Sequence, residues 1–153
     1  MDFLSHAIEL AASHSRSGIN GPFGAVIVKN NQIIGEGWNQ VVELNDPTAH
    51  AEINAIKKAC QHIQSPDLSG SILYTSCEPC PMCLAATFWA NIRSVYYACD
   101  RQDADKIGFD DEVIYKELQN NNPHKQITLV QSHHKQGLKV FDDWLNNPKR
   151  VMY

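Results

Sequence analysis

No stretch of this sequence is apolar for long enough to cross a bilayer, which takes about 20 consecutive apolar residues. The amino terminus does not open like a secretory leader either: Met1-Asp2-Phe3-Leu4-Ser5 puts an acid where such a segment carries base. The two absences point to the cytoplasm. Positive charge is scarce, with 13 Lys and Arg against 17 Asp and Glu and a net charge of -4. Proteins that grip a long nucleic acid usually present a basic face, so a small-molecule substrate is expected, with neither a membrane nor a nucleic acid as partner. Internal repeats and low-complexity segments are also lacking, which excludes repeat architectures. What is present suffices for one core: 153 residues, 43% of them hydrophobic, have the size of a single domain. The five cysteines are an odd number. In a reducing compartment they are more often metal ligands or buried apolar residues than disulfide partners.

Local patterns alternate between helix and strand. Leu4, Ala7, Ile8 and Ala11 recur at helical spacing, and Gly18 and Gly21-Pro22 end that segment. Gly24–Val28 and a run beginning at Ile33-Ile34 flank Asn30-Asn31 and read as a hairpin. Asp46-Pro47-Thr48 precedes a second helix with Ile53, Ile56, Cys60 and Ile63 as its expected buried stripe. Ile72–Thr75 reads as a strand, and Pro79-Cys80-Pro81 opens a third helix. That helix is apolar most of the way round, so cover on several sides is expected. Ser94–Ala98 and Ile127–Val130 read as further strands, Val113–Leu118 and Val140–Leu145 as helices. The alternation implies an α/β sandwich with helices on both faces of a sheet.

Two short stretches carry the chemistry. Thr48-Ala49-His50-Ala51-Glu52 contains His-x-Glu, and Cys77-Glu78-Pro79-Cys80-Pro81-Met82-Cys83 contains Pro-Cys-x-x-Cys. Together they match the zinc-deaminase pattern. Zinc takes nitrogen and sulfur donors in tetrahedral geometry. Cys80 and Cys83, three apart at a helix start, share a face where free amides favour thiolates. With His50 they make three ligands and leave a fourth position for water, whose pKa zinc lowers. Glu52, about 200° around a helix from His50, falls off the ligand face and suits proton transfer. A closed Cys₃His site recruiting Cys77 is the competing arrangement, and it would make the chain a zinc-stabilised interaction domain. Cys60 and Cys99 read as packing residues. His133-His134 would point to opposite faces of a strand, and His6, His14, His62 and His124 read as surface residues.

These motifs resemble those of the cytidine-deaminase-like superfamily. More narrowly, the chain resembles its bacterial guanine deaminase branch, on Gly21–Lys29, Asn45–Thr48, Gly108-Phe109-Asp110-Asp111, Ile114–Glu117 and the closing Tyr153. The resemblance implies a three-layer sandwich around a five-stranded mixed sheet in order 2-1-3-4-5. It implies one Zn²⁺ per subunit on His50, Cys80 and Cys83, with Glu52 as the proton shuttle. Phe23, Asn39, His50 and Ala51 would then bind the base, with Phe23 stacking. Asp111 is the expected catalytic carboxylate, its neighbour Asp110 being the alternative, since either could cap the helix that follows. A homodimer is implied whose C-terminal segments, from about residue 130 to 153, are exchanged, so that Tyr153 completes a neighbour's site. Guanine offers N1–H and an amino group as donors and O6 and N7 as acceptors, and Asn39 can both donate and accept. Water adding at C2 would yield xanthine and ammonia. Gly35-Glu36-Gly37-Trp38-Asn39 reads equally like the tRNA adenosine deaminases, but the tail, Asn147–Tyr153, has only two basic residues. Cytosine or a free nucleoside is a further alternative.

Overall fold

The computed structural model describes residues 2–119 and 126–152. Tyr153 and His124, both named above, lie outside them. The chain divides into two compact units, Met1–Tyr115 and Lys116–Tyr153.

In the first unit, α1 (Phe3–Ser15) is followed by β1 (Gly24–Lys29), β2 (Gln32–Trp38), the short α2 (Val41–Leu44) and α3 (Ala51–Ile63). Then come β3 (Ile72–Cys77), α4 (Pro81–Trp89), β4 (Ser94–Cys99), α5 (Arg101–Lys106) and α6 (Glu112–Glu117), which crosses into the second unit. Asn30 and Asn31, with φ of 50° and 61°, make the tight turn between β1 and β2, the left-handed pair that suits a twisted hairpin.

The sheet among the described residues has four strands in order β2-β1-β3-β4. β1 is antiparallel to β2 and β3, and β3 is parallel to β4. The five strands expected from the sequence are therefore corrected to four. Ile127–Val130 join no ladder, and Leu129 and Val130 are more than four-fifths exposed. A strand needs a neighbour to satisfy its backbone, and hydrophobic residues alone do not supply one.

β1 is buried on both faces because helices lie on both. Ala25 and Ile27 join Ala51, Ala55, Ala59, Leu68 and Leu73 on one side. Val26 and Val28 join Ala7, Leu10 and Phe3 of α1 on the other. This alternation makes the three layers from one apolar run.

The stripe expected on α3 is corrected as well. Its buried positions are Ala51, Glu52, Asn54, Ala55 and Ala59, while Ile53, Ile56, Cys60 and Ile63 are only half-buried. The cause lies in β2. A Cβ on Gly35 or Gly37 would run into the backbone of α3 at Ala55 and Ala51 respectively. Helix and strand approach so closely that only alanine fits between them, and the start of α3 is pressed down onto the end of the sheet.

Two other expectations fail at the far edge. α4 is not covered on several sides: Leu84, Phe88 and Trp89 are 48%, 63% and 70% exposed. Cys99 is exposed rather than packed, because β4 is an edge strand with little over it. In the second unit α7 (His134–Leu145) begins six residues before the expected start, with His133 at its cap, so His133-His134 lie at a helix start and not on a strand. Leu138, Phe141 and Leu145 recur at helical spacing along α7 and all are exposed. Glu117 accepts hydrogen bonds from the backbone N–H groups of Gln126 and Ile127.

Candidate active site

Two helix starts converge at the carboxyl end of β3. His50 is the N-cap of α3 and Cys80 the N-cap of α4, and neither side chain makes a capping hydrogen bond. Both are thereby free for other partners while their backbones begin a helix. Pro81 at the first position of α4 fits there because that amide would lack an internal partner anyway. Asn54 ties α3 to the sheet by donating to the Trp38 carbonyl at 3.0 Å.

His50 Nδ1 lies 3.6 Å from Cys80 Sγ and 3.6 Å from Cys83 Sγ. The three donors form a cluster within 4.8 Å of one another, and no fourth residue joins it among the described residues. A tetrahedral ion with bonds of about 2.3 Å to sulfur and about 2.0–2.1 Å to nitrogen separates such donors by about 3.6 Å, so the residues fit zinc. Electrostatics agrees. The Cys83 thiol, hydrogen-bonded to Cys80, holds the Cys80 pKa down to about 4 against burial. The same contact, with burial, pushes Cys83 up, and the bond to Cys80 raises His50. A divalent cation lets both sulfurs ionise.

Cys77 stands apart. Its thiol donates to the Asp100 carbonyl at 3.7 Å, and burial pushes its pKa up to about 12. Cys77 lies outside the donor cluster, so among the described residues no fourth protein ligand completes a closed Cys₃His site.

Glu52 follows in the first turn of α3 and is 6% exposed. Its Oε1 accepts a hydrogen bond from Thr75 Oγ at 3.1 Å, and burial raises its pKa above the ordinary glutamate value. It lies against Cys83 and outside the donor cluster. Burial favours the protonated form of this carboxyl, which suits it to take up a proton and pass it on.

Above these groups opens a cavity of about 620 Å³ lined by Phe23, Asn39, His50, Glu52, Phe109 and Asp111, among others. Phe23 meets Phe109 edge to face at 4.9 Å. Ala51 is buried beneath His50 in the α3–sheet contact and is not among the lining residues. Asn39 is 6% exposed, and its Oδ1 accepts from the backbone N–H groups of Gly21 and Val41, both at 3.3 Å. Two N–H donors aimed at one atom identify that atom as the oxygen. Asn39 therefore faces the cavity as a donor, not as the two-way group its chemistry alone allows. The two aspartates divide their work: Asp110 accepts from Val113 N–H at 3.4 Å at the start of α6, while Asp111 lines the cavity and burial raises its pKa.

Phe109 and Glu78 gained no role from the sequence. Glu78 lines the cavity and accepts from Arg101 N–H at 3.0 Å. Phe109 could have been suspected, as a large apolar residue between Gly108 and two aspartates. Nothing local marks Glu78, because its partner lies a strand away.

A buried carboxyl beside a His-Cys-Cys cluster, at the floor of an open cavity in a helix–sheet–helix sandwich, defines the zinc-dependent deaminases of nucleobases and nucleosides. Residues 1–99 match the family described as the cytidine and deoxycytidylate deaminase zinc-binding region, and the chain belongs to that family. Over 151 residues it is 48% identical to a guanine deaminase of Bacillus subtilis, covering 99% of this chain and 97% of the relative. The crystal structure of guanine deaminase from that organism superposes with a TM-score of 0.93, covering 99% and 96% of the two chains. A guanine deaminase from Nitrosomonas europaea is 27% identical, with a TM-score of 0.66 and coverage of 90% and 70%. A tRNA-specific adenosine deaminase of Agrobacterium fabrum is 44% identical over 96 residues, 61% of this chain and 63% of the relative.

Proposed function

We propose that this chain hydrolyses guanine to xanthine and ammonia. One observation carries the choice of guanine. The likeness to tRNA-specific adenosine deaminases spans 50–69% of the chain, whereas the likeness to guanine deaminase spans 99% and so takes in the C-terminal part as well.

In this reading His50, Cys80 and Cys83 hold one Zn²⁺ per subunit. Zinc supplies Lewis acidity that brings the pKa of a water to about 7. The base stacks on Phe23, and Asn39 Nδ2 donates to an acceptor on its rim, O6 or N7. Asp111 accepts from a ring N–H. As a C2–O bond forms, Glu52 takes a proton from the attacking water and delivers it to N3. It then moves the remaining oxygen proton to the exocyclic nitrogen, and the C2–N bond breaks as ammonia leaves. Thr75, bonded to Glu52 Oε1, fixes which carboxyl oxygen is turned to the substrate.

The enzyme works as a cytoplasmic homodimer. The bare apolar side chains of α4 support a covered face there, and the exposed stripe of α7 supports an exchanged C-terminal segment. In that arrangement the C-terminal segment, from about residue 130, crosses over to the partner subunit.

A paired assay tests the substrate: zinc-loaded protein with free guanine, and separately with a tRNA anticodon arm. Xanthine from the first and no inosine from the second is expected. Inosine with guanine untouched would transfer the assignment to tRNA adenosine.

A further inference from the structure

Two cysteines outside the zinc cluster end adjacent strands. Cys77 closes β3, Cys99 closes β4, and the two are register partners in the parallel ladder. Register partners project to the same face of a sheet. Neighbouring strands lie about 4.7–4.9 Å apart, within the Cα separation of about 4.4–6.8 Å that a disulfide spans. The strand ends are also joined by the hydrogen bond from Glu78 N to Cys99 O at 2.8 Å. Cys77 already turns its thiol toward that end, where it donates to the Asp100 carbonyl. Access differs between the two: Cys77 is buried and Cys99 exposed.

We propose that Cys77 and Cys99 form a reversible cross-strand disulfide when the protein meets a hydroperoxide, and that this bond switches off the neighbouring zinc site. Exposure sets the order of events. The Cys99 thiolate attacks the peroxide, the O–O bond breaks, and Cys99 becomes a sulfenic acid while hydroxide or alkoxide leaves and takes a proton from solvent. Sulfur is oxidised by two electrons and the peroxide is reduced by two. The Cys77 sulfur then displaces the hydroxyl from Cys99, its proton leaves with that hydroxyl as water, and the S–S bond forms. A dithiol reductant restores both thiols by exchange. Disulfides in a reducing compartment are usually of this transient kind.

The effect on the site follows from the chain path. Only Glu78 and Pro79 separate Cys77 from the zinc ligand Cys80, and Glu78 lines the cavity. Drawing Cys77 off the Asp100 carbonyl onto Cys99 shifts Glu78, a wall of the cavity, while Cys80 stays in the donor cluster.

The test treats zinc-loaded protein with hydrogen peroxide, blocks remaining thiols by alkylation, and maps peptides without reduction. Zinc release is followed in parallel with a chromogenic chelator, and guanine turnover before and after dithiothreitol. The expected result is the tryptic peptide 59–93 joined to 94–101, with tandem spectra assigning the link to Cys77 and Cys99. Turnover should fall by up to about 100-fold, the scale of a 1 Å misplacement, and return with dithiothreitol while zinc stays bound. Cys99→Ser should have ordinary turnover and keep it under the same peroxide. Absence of the link, loss of zinc through oxidation of Cys80 and Cys83, a link that leaves turnover unchanged, or equal inactivation of Cys99→Ser would each overturn the proposal.

Discussion

Replacing Glu52 by Gln separates two demands made on one side chain. The amide has the same shape, and its oxygen can still accept the 3.1 Å hydrogen bond from Thr75, so packing at this buried site is kept. What disappears is the group that carries protons. Positioned acid–base groups contribute about 10²–10⁴-fold, and at about 1.4 kcal/mol per decade the barrier rises by about 3–5 kcal/mol. Since the side chain lies outside the donor cluster, zinc content should stay at one per chain. Stability moves the other way. Burial raises the Glu52 pKa in the folded chain, so the folded state binds this proton more tightly than the unfolded one. That contribution is fully present below the unfolded value of about 4.3 and is lost as pH rises through the folded value. In chelator-treated protein the Gln variant should therefore melt higher than the parent at neutral pH, and the gap should close as pH is lowered toward the ordinary glutamate range. Steady-state kinetics, metal analysis and thermal melts on one preparation read all three. Turnover within about threefold of the parent, far below the range that acid–base groups contribute, would remove Glu52 from proton transfer.

Cys77→Ser should retain zinc under dialysis, because its thiol is bonded to Asp100 and not to the cluster, whereas Cys83→Ser should lose it; metal analysis distinguishes the two. Asn39→Asp keeps an oxygen for the Gly21 and Val41 amides but removes the only donor that this side chain offers the cavity. kcat/KM should fall by about 10–100-fold, the cost of one unpaired polar group, with little change in melting temperature. Gly35→Ala forces a methyl into the backbone of α3 at Ala55. It should lower the melting temperature by about 3–10 °C, as overpacking costs about 1–3 kcal/mol, and should weaken turnover through the displaced start of that helix.

The chemistry was more legible than the packing. His50, Cys80 and Cys83 could be read because zinc restricts donor type and spacing so tightly that a few residues carry the message. The hairpin was readable from Asn30-Asn31, since the turn needs two left-handed residues. The most buried face of α3 was not, because it is set by glycines on another strand: Gly35 and Gly37 bring alanines to the closest approach, and Ile56 and Ile63 pack half-buried against that core. Ile127–Val130 misled for a related reason. A β-rich tetrapeptide states a preference, and the ladder that would satisfy it must come from elsewhere. Asn39 was legible as a residue but not as a donor, since its orientation depends on two backbone amides brought to it by folding.

The central claim is that zinc on His50, Cys80 and Cys83, with Glu52, deaminates guanine. The most direct test titrates metal-free protein with zinc while ultraviolet absorbance follows guanine, with adenine, cytosine and guanosine in parallel. Xanthine and ammonia should form in equal amounts from guanine alone, at a rate that rises with zinc and levels off at one ion per chain. Turnover that ignores zinc, or zinc-loaded protein that leaves guanine unchanged, would contradict the account.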